Sequence, residues 1–103
     1  MAVHCTTLEE VRNNIDLLDQ QIVALIAERG HYVSQAARFK KSTDDVKAPQ
    51  RVEQVIAKVR GLSQVAGANP EVTEQVYRAM ITAFIRQEMA EYAALDKADK
   101  PRA

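Results

Sequence analysis

The sequence predicts an all-α protein: a three-helix chain with one very long N-terminal helix, completed by a second copy of itself as an intertwined homodimer. Three observations carry this expectation. Leu8, Val11, Ile15, Leu18, Ile22 and Leu25 are spaced by three and four, and Tyr32, Ala36 and Phe39 resume the series, which is the period of one face of a helix. The composition, 47% hydrophobic with three glycines and three prolines in 103 residues, suits helices, and no stretch alternates apolar and polar residues as a half-buried strand does. Length is the third. A helix from Thr7 to Lys40 would extend about 50 Å, whereas a compact domain of this size has a radius of gyration of about 13 Å. One copy of the chain cannot cover such a helix, and the least costly companion is a second copy related by a two-fold axis.

Each helix has its own start and stop signals. Residues 1–6 form an N-terminal extension, and Thr7 with Glu10 three positions on reads as a capping box that opens a helical domain over residues 7–93. The first helix continues to Lys40, with no proline and Gly30 as its one internal glycine. KSTDDVKA, residues 41–48, is polar and without periodicity, so it reads as a loop, mobile in composition and suited to act as a lid. Pro49 sits where proline is best tolerated, at the start of a second helix. That helix buries Val52, Val55, Ile56 and Val59 and is expected to stop at Gly61. Asn69 and Pro70 make a cap followed by a first-turn proline. The third helix then presents Val72, Val76, Met80, Ile81, Phe84, Ile85 and Met89 on one side as far as about Tyr92. The tail, residues 94–103, has too little apolar content to pack and is expected to be disordered.

Composition narrows the function. Fourteen Lys and Arg balance fourteen Asp and Glu, so no basic field attracts nucleic acid and no polybasic patch holds a membrane surface. No apolar run approaches the roughly 20 residues that span a bilayer. With one cysteine, Cys5, no internal disulfide can form, and the opening residues lead into a polar cap instead of a signal core. The protein is expected to be cytoplasmic. Cys5 has no His and Asp set around it and reads as a bystander. His4 and His31 lack partners at metal-ligand spacing, and no glycine-rich phosphate loop occurs.

Several charges occupy unexpected positions. Arg29 falls in the apolar stripe. On a continuous helix Lys40, eleven residues later, would leave nearly the same face about 16 Å away, so the two long side chains could converge on a small dianion. Arg12 is about 25 Å from Arg29 along the helix and about 100° round it, so only a second copy's Arg12 could serve the same site. Arg51, in the first turn of the second helix, can approach from the side. The plainer alternative is that each cation lies along apolar surface with its head in water. Glu88 is the anionic anomaly, standing on the buried side of the third helix near Phe84, Ile85 and Ile81. A carboxylate at such a place is either paired, for example with one of the arginines, or protonated.

LEEVRNNIDLLDQQIVALIAERGHYVSQAARFK, followed by a loop and APQRV, resembles the all-helical chorismate mutases and their relatives, the isochorismate-pyruvate lyases of salicylate biosynthesis. The resemblance covers residues 5–92, and its most specific parts are Arg12 in VRNNID, Arg29 in AERG, Lys40 in RFK and Arg51 in APQRV. It implies an intertwined dimer with shared active sites, no metal or cofactor, and a small dicarboxylate substrate, chorismate or isochorismate. It also implies a site built from Arg12 of one subunit with Arg29, Lys40, Arg51, Phe84 and Glu88 of the other, in which Arg29, Lys40 and Glu88 act on the reacting atoms. Glu88 aligns with a family position usually held by a glutamine that donates a hydrogen bond to the substrate's ether oxygen. Val52 stands where the mutases carry a glutamate for the substrate hydroxyl, while the lyase-like branch has an apolar residue there. CTTLEEVR, RFK and AP-x-RV lean to the lyase branch, whereas Lys41 replaces the small residue expected of it. The expected activity is rearrangement of chorismate to prephenate, with isochorismate-pyruvate lyase as the alternative and a non-catalytic helical dimerisation module as a more distant one.

Overall fold

The structure, a computed structural model, describes residues 2–99, with residues 95–99 described by their backbone alone. It is all-α, with no strand among the described residues. In chain order the elements are α1 (Leu8–Ala37), α2 (Thr43–Lys47), α3 (Pro49–Ala66) and α4 (Pro70–Asp99). The chain divides into two units, Met1–Tyr32 and Val33–Ala103. The boundary falls within α1.

The first unit is the greater part of α1 and the cap that starts it. Thr7 Oγ1 accepts the Glu10 N–H at 3.1 Å, and the Glu10 carboxylate reaches back to the Thr6 N–H at 2.9 Å. This is a capping box whose return bond lands one residue earlier than the usual position. Cys5 is a free, half-buried thiol. Its Sγ lies 3.6 Å from Asn14 Nδ2. The apolar stripe forms as expected, yet Leu8, Ile15, Leu18, Ile22 and Leu25 remain 62%, 48%, 55%, 52% and 63% exposed. A helix holds an apolar face of this kind to bury it against something.

The second unit packs α2 and α3 on α4. Ala37, Val46, Ile56, Val59 and Ile81 are its buried apolar residues, each of the larger ones contributing on the order of 1.5–3 kcal/mol of transfer free energy. On the outer side of this packing, Arg78 donates to both oxygens of Glu53 at 2.9 Å and to Glu74 at 2.8 Å. Arg60 meets Glu74 at 2.7 Å and Glu71 at 3.0 Å. These acids and bases alternate in sign across the surface of α3 and α4 and link the two helices.

Element boundaries depart from the sequence expectation in four places, each for a local reason. α1 ends at Ala37 because Arg38, Phe39 and Lys40 donate to carbonyls three residues back, at 3.2, 3.0 and 3.2 Å, which tightens and terminates the last turn. Residues 41–48 are not a plain loop. Ser42 Oγ accepts the Asp45 N–H at 3.2 Å and Asp45 Oδ2 accepts the Lys41 N–H at 3.0 Å, reciprocal bonds that start α2, and Val46 anchors it at 2% exposure. α3 runs through Gly61, where an added side-chain carbon would meet nothing within 4 Å, and stops at Gly67 with φ 78°. Ala68 N–H then bonds to Ser63 O at 2.8 Å, the closing bond of a left-handed C-cap. α4 starts on Asn69, whose Oδ1 accepts the Glu71 N–H at 2.9 Å, and continues as helix past Tyr92 to Asp99. The rest of the tail expected to be disordered, residues 100–103, lies outside the described residues.

Candidate functional site

The second unit brings together two of the residues singled out in the sequence. Lys40, just beyond the end of α1, donates from Nζ to the Asp45 carbonyl oxygen at 3.0 Å and stands 3.9 Å from Glu88 Oε2. Because the helix stops at Ala37, the eleven-residue spacing from Arg29 no longer sets where Lys40 points. The α2 turn sets it instead. Asp45 therefore holds Lys40 through its main chain while its side chain caps the Lys41 N–H.

Glu88 lies on α4 with 6% of its surface exposed, and its Oε2 accepts no hydrogen bond among the described residues. At 3.9 Å Lys40 is an ion-pair neighbour and not a hydrogen-bond donor. Burial raises the Glu88 carboxyl above its ordinary value, Lys40 opposes that rise, and the charge of Glu91 adds to it. Burial wins over the cation, so the environment favours the neutral acid relative to a carboxylate in water. A buried carboxyl with an unused oxygen can donate a hydrogen bond when it is protonated. The cation beside Glu88 is Lys40, not one of the arginines that the sequence offered as partners.

One turn further along α4, Glu91 is fixed from two sides. Its Oε1 accepts from Ser34 Oγ of α1 at 3.1 Å and from Gln87 Nε2 at 3.3 Å. Phe84, one turn before Glu88, is half-buried. Arg51 is exposed on the first turn of α3 and lines an open cleft of about 420 Å³ together with Asp44, Asp45 and Gln54. Val52 beside it is half-buried. In the first unit, Arg12 is exposed and Arg29 half-buried on α1, about 25 Å apart along the helix axis.

Sequence reasoning overlooked Asp45, Ser34 and Glu91. The first had a signal, since Ser42 followed three residues later by Asp45 is a capping pattern even in a short segment. Glu91 shares a helix face with Glu88 by its i, i+3 spacing, but its link to Ser34 crosses 57 positions and has no local signature. No group of three or more His, Cys, Asp or Glu among the described residues could hold a metal ion.

The chorismate mutase type II family matches residues 11–89, a stretch that runs from the second residue of the α1 stripe through Lys40, Arg51 and Glu88. The chain belongs to that family. Among relatives, an isochorismate pyruvate lyase of Pseudomonas aeruginosa is 29% identical over 85 residues, covering 82% of this chain and 84% of the lyase. The matched region of this chorismate mutase-family chain contains all of α2 and α3 and most of α1 and α4. No helix among its described residues is long and apolar enough to cross a membrane.

Proposed function

We propose that the protein is a homodimeric enzyme that rearranges chorismate to prephenate, using Arg29, Lys40, Arg51, Phe84 and Glu88 of one subunit with Arg12 of the other. The observation that carries this reading is the buried, hydrogen-bond-deficient Glu88 beside Lys40. In the rearrangement the ether C–O bond breaks as a C–C bond forms in one cyclic shift of electrons, and no proton changes hands. The ether oxygen gains negative character, and the work of the site is to hold the substrate folded and to place donors at that oxygen. Lys40 and protonated Glu88 supply the donors. Arg29 and Arg12 grip the two carboxylates, for which the planar guanidinium is shaped. Phe84 forms an apolar wall. Arg51 closes the site from α3.

The half-exposed stripe of α1 supports the second copy. An apolar face of that length is otherwise an unsatisfied interaction surface, and antiparallel pairing brings the second copy's Arg12 toward Arg29, a distance one chain cannot close. The site uses no metal or cofactor in this reading.

A second reading, isochorismate-pyruvate lyase, is favoured by two specific observations: the lyase relative and Val52 in place of a hydroxyl-binding glutamate. The same cations and the same donor pair serve it, because there too the ether C–O bond breaks with charge collecting on its oxygen, while the ring hydrogen passes to the enolpyruvyl methylene, which becomes the methyl of pyruvate, and the ring becomes aromatic. Incubation of the pure protein with each substrate and identification of the products tests both. Prephenate from chorismate supports the mutase, salicylate and pyruvate from isochorismate support the lyase, and turnover of neither substrate defeats the proposal in favour of a non-catalytic dimerisation module.

A further inference from the structure

Glu91 belongs to none of the roles above, yet it is the most firmly held carboxylate near Glu88. It follows Glu88 by three residues on α4, which places the two side chains on adjacent turns of one face. Ser34 and Gln87 both donate to its Oε1, at 3.1 and 3.3 Å, so it cannot swing away without breaking both bonds. The charged groups on the elements packed around Glu88 can be taken in turn among the described residues. Lys40, from the turn after α1, is the cation at 3.9 Å. From α2, Asp45 turns its carboxylate to the Lys41 N–H, and Asp44 and Lys47 are exposed. From α3, Glu53 and Arg60 are engaged with Arg78, Glu74 and Glu71, and Arg78 lies about 15 Å from Glu88 along α4. Arg51 is exposed beside the α2 cleft. On α4 itself Arg86 is exposed and Tyr92 half-buried. Among the described residues of this unit, Lys40 and Glu91 are the cation and the carboxylate whose charges act on Glu88, in opposite directions, and the carboxylate is held by two hydrogen bonds.

We propose that Glu91 is a positioning residue that acts through Glu88: clamped by Ser34 and Gln87, it keeps a negative charge against Glu88 and so extends the pH range over which Glu88 carries the proton it donates. This deepens the proposed function and rests on Glu88 being the donor to the substrate's ether oxygen. The physical basis is that a negative charge held on a neighbouring turn disfavours the ionised form of a buried carboxyl. Burial of Glu88 and the Glu91 charge act in the same direction. Ser34 matters only because it fixes where that charge stands.

The test is a pH titration of side-chain carboxyl NMR signals in the full chain without substrate, with Glu88→Gln identifying the Glu88 signal. Glu91→Gln should lower the Glu88 midpoint by about 0.3 unit or more, a twofold change in protonated fraction, since even exposed like-charge pairs one turn apart repel by that order. Ser34→Ala, which releases Glu91, should shift it in the same direction by less, and it decides the matter if the Glu91 variant does not fold. A merely structural Glu91 would change melting temperature and leave the midpoint in place, so an unmoved or raised midpoint overturns the proposal. Because no substrate is present, the outcome is independent of activity. A protein that turns over neither chorismate nor isochorismate would defeat the proposed function even if the midpoint moves. Where turnover is measured, its alkaline limb should shift with the same midpoint.

Discussion

Glu88 is pulled in opposite directions by burial and by Lys40, and burial prevails. Two consequences follow at the level of this residue. In its proposed role as hydrogen-bond donor to the ether oxygen it must be protonated, so turnover should fall as pH rises through its raised pKa, and Glu88→Gln, a permanent donor of similar shape, should retain activity at high pH. Turnover of both forms from about pH 5 to 9 checks this; an identical alkaline loss in the Gln variant would remove Glu88 from the donor role. Stability carries the same sign. A carboxyl raised above its unfolded value of 4.5 contributes stability that is fully present below that value and is lost as pH rises through the folded-state pKa. Glu88→Gln should therefore melt higher than the parent at pH 8 and close to it at pH 4. Glu53 and Glu74 act in the opposite window. Hydrogen bonds from Arg78 hold both below 4.5, so their contribution is present above that value and is lost as pH falls through the lowered pKa. Arg78→Ala should thus cost melting temperature at pH 7 and almost none at pH 2. For the proposed catalysis, Lys40→Ala would remove one of the two proposed donors at the developing charge and should reduce turnover by about 10²–10³, with a smaller change in KM; a change confined to KM would make Lys40 a binding residue only.

Helix ends reveal which local signals could be read in advance. The Thr7–Glu10 cap, Pro49 at a first turn and the Asn69–Pro70 start were all legible, because each is a few adjacent residues whose chemistry satisfies orphaned N–H groups. Gly61 was misread. A glycine ends a helix only where the chain needs a positive φ, and that place is Gly67, six residues on, where φ is 78°. The two glycines should therefore respond in opposite ways. Gly61→Ala, in open space within α3, should stabilise by roughly 0.5–1 kcal/mol, whereas Gly67→Ala forces a side chain into the left-handed region and should cost roughly 1 kcal/mol. Denaturant midpoints of both variants check this, and the same sign for both would contradict the boundary. Ala48 also has a positive φ, 37°, between α2 and Pro49, a conformation no sequence pattern announced. The end of α1 was equally hidden. Phe39 continues the apolar period, yet it is 82% exposed, because the three-residue bonds of Arg38, Phe39 and Lys40 have already ended the helix at Ala37.

For the whole molecule, the sequence yielded the fold class and the apolar stripe because both depend on periodicity. Periodicity alone could not place Lys40 beside Glu88, because that contact depends on where α1 stops and on a turn that reads as loop; only the family resemblance assigned the two to one site. Nor could it show how a buried carboxylate balances desolvation against a cation, which only burial and distance decide. The stripe itself is the strongest whole-molecule feature: Leu8, Leu18 and Leu25 are all more than half exposed, and in the proposed dimer a second copy covers it and delivers Arg12 to Arg29. Shared sites make a quantitative demand. Arg12→Ala and Arg29→Ala chains should each be inactive, yet a heterodimer of the two retains one site with both arginines intact. After subunit exchange in an equal mixture, half of the dimers are heterodimers, so product formation should recover to about a quarter of the parent rate. Recovery at that level, appearing only under conditions that exchange subunits, is the predicted result; no recovery after exchange has been demonstrated by mass would contradict the shared dimeric site.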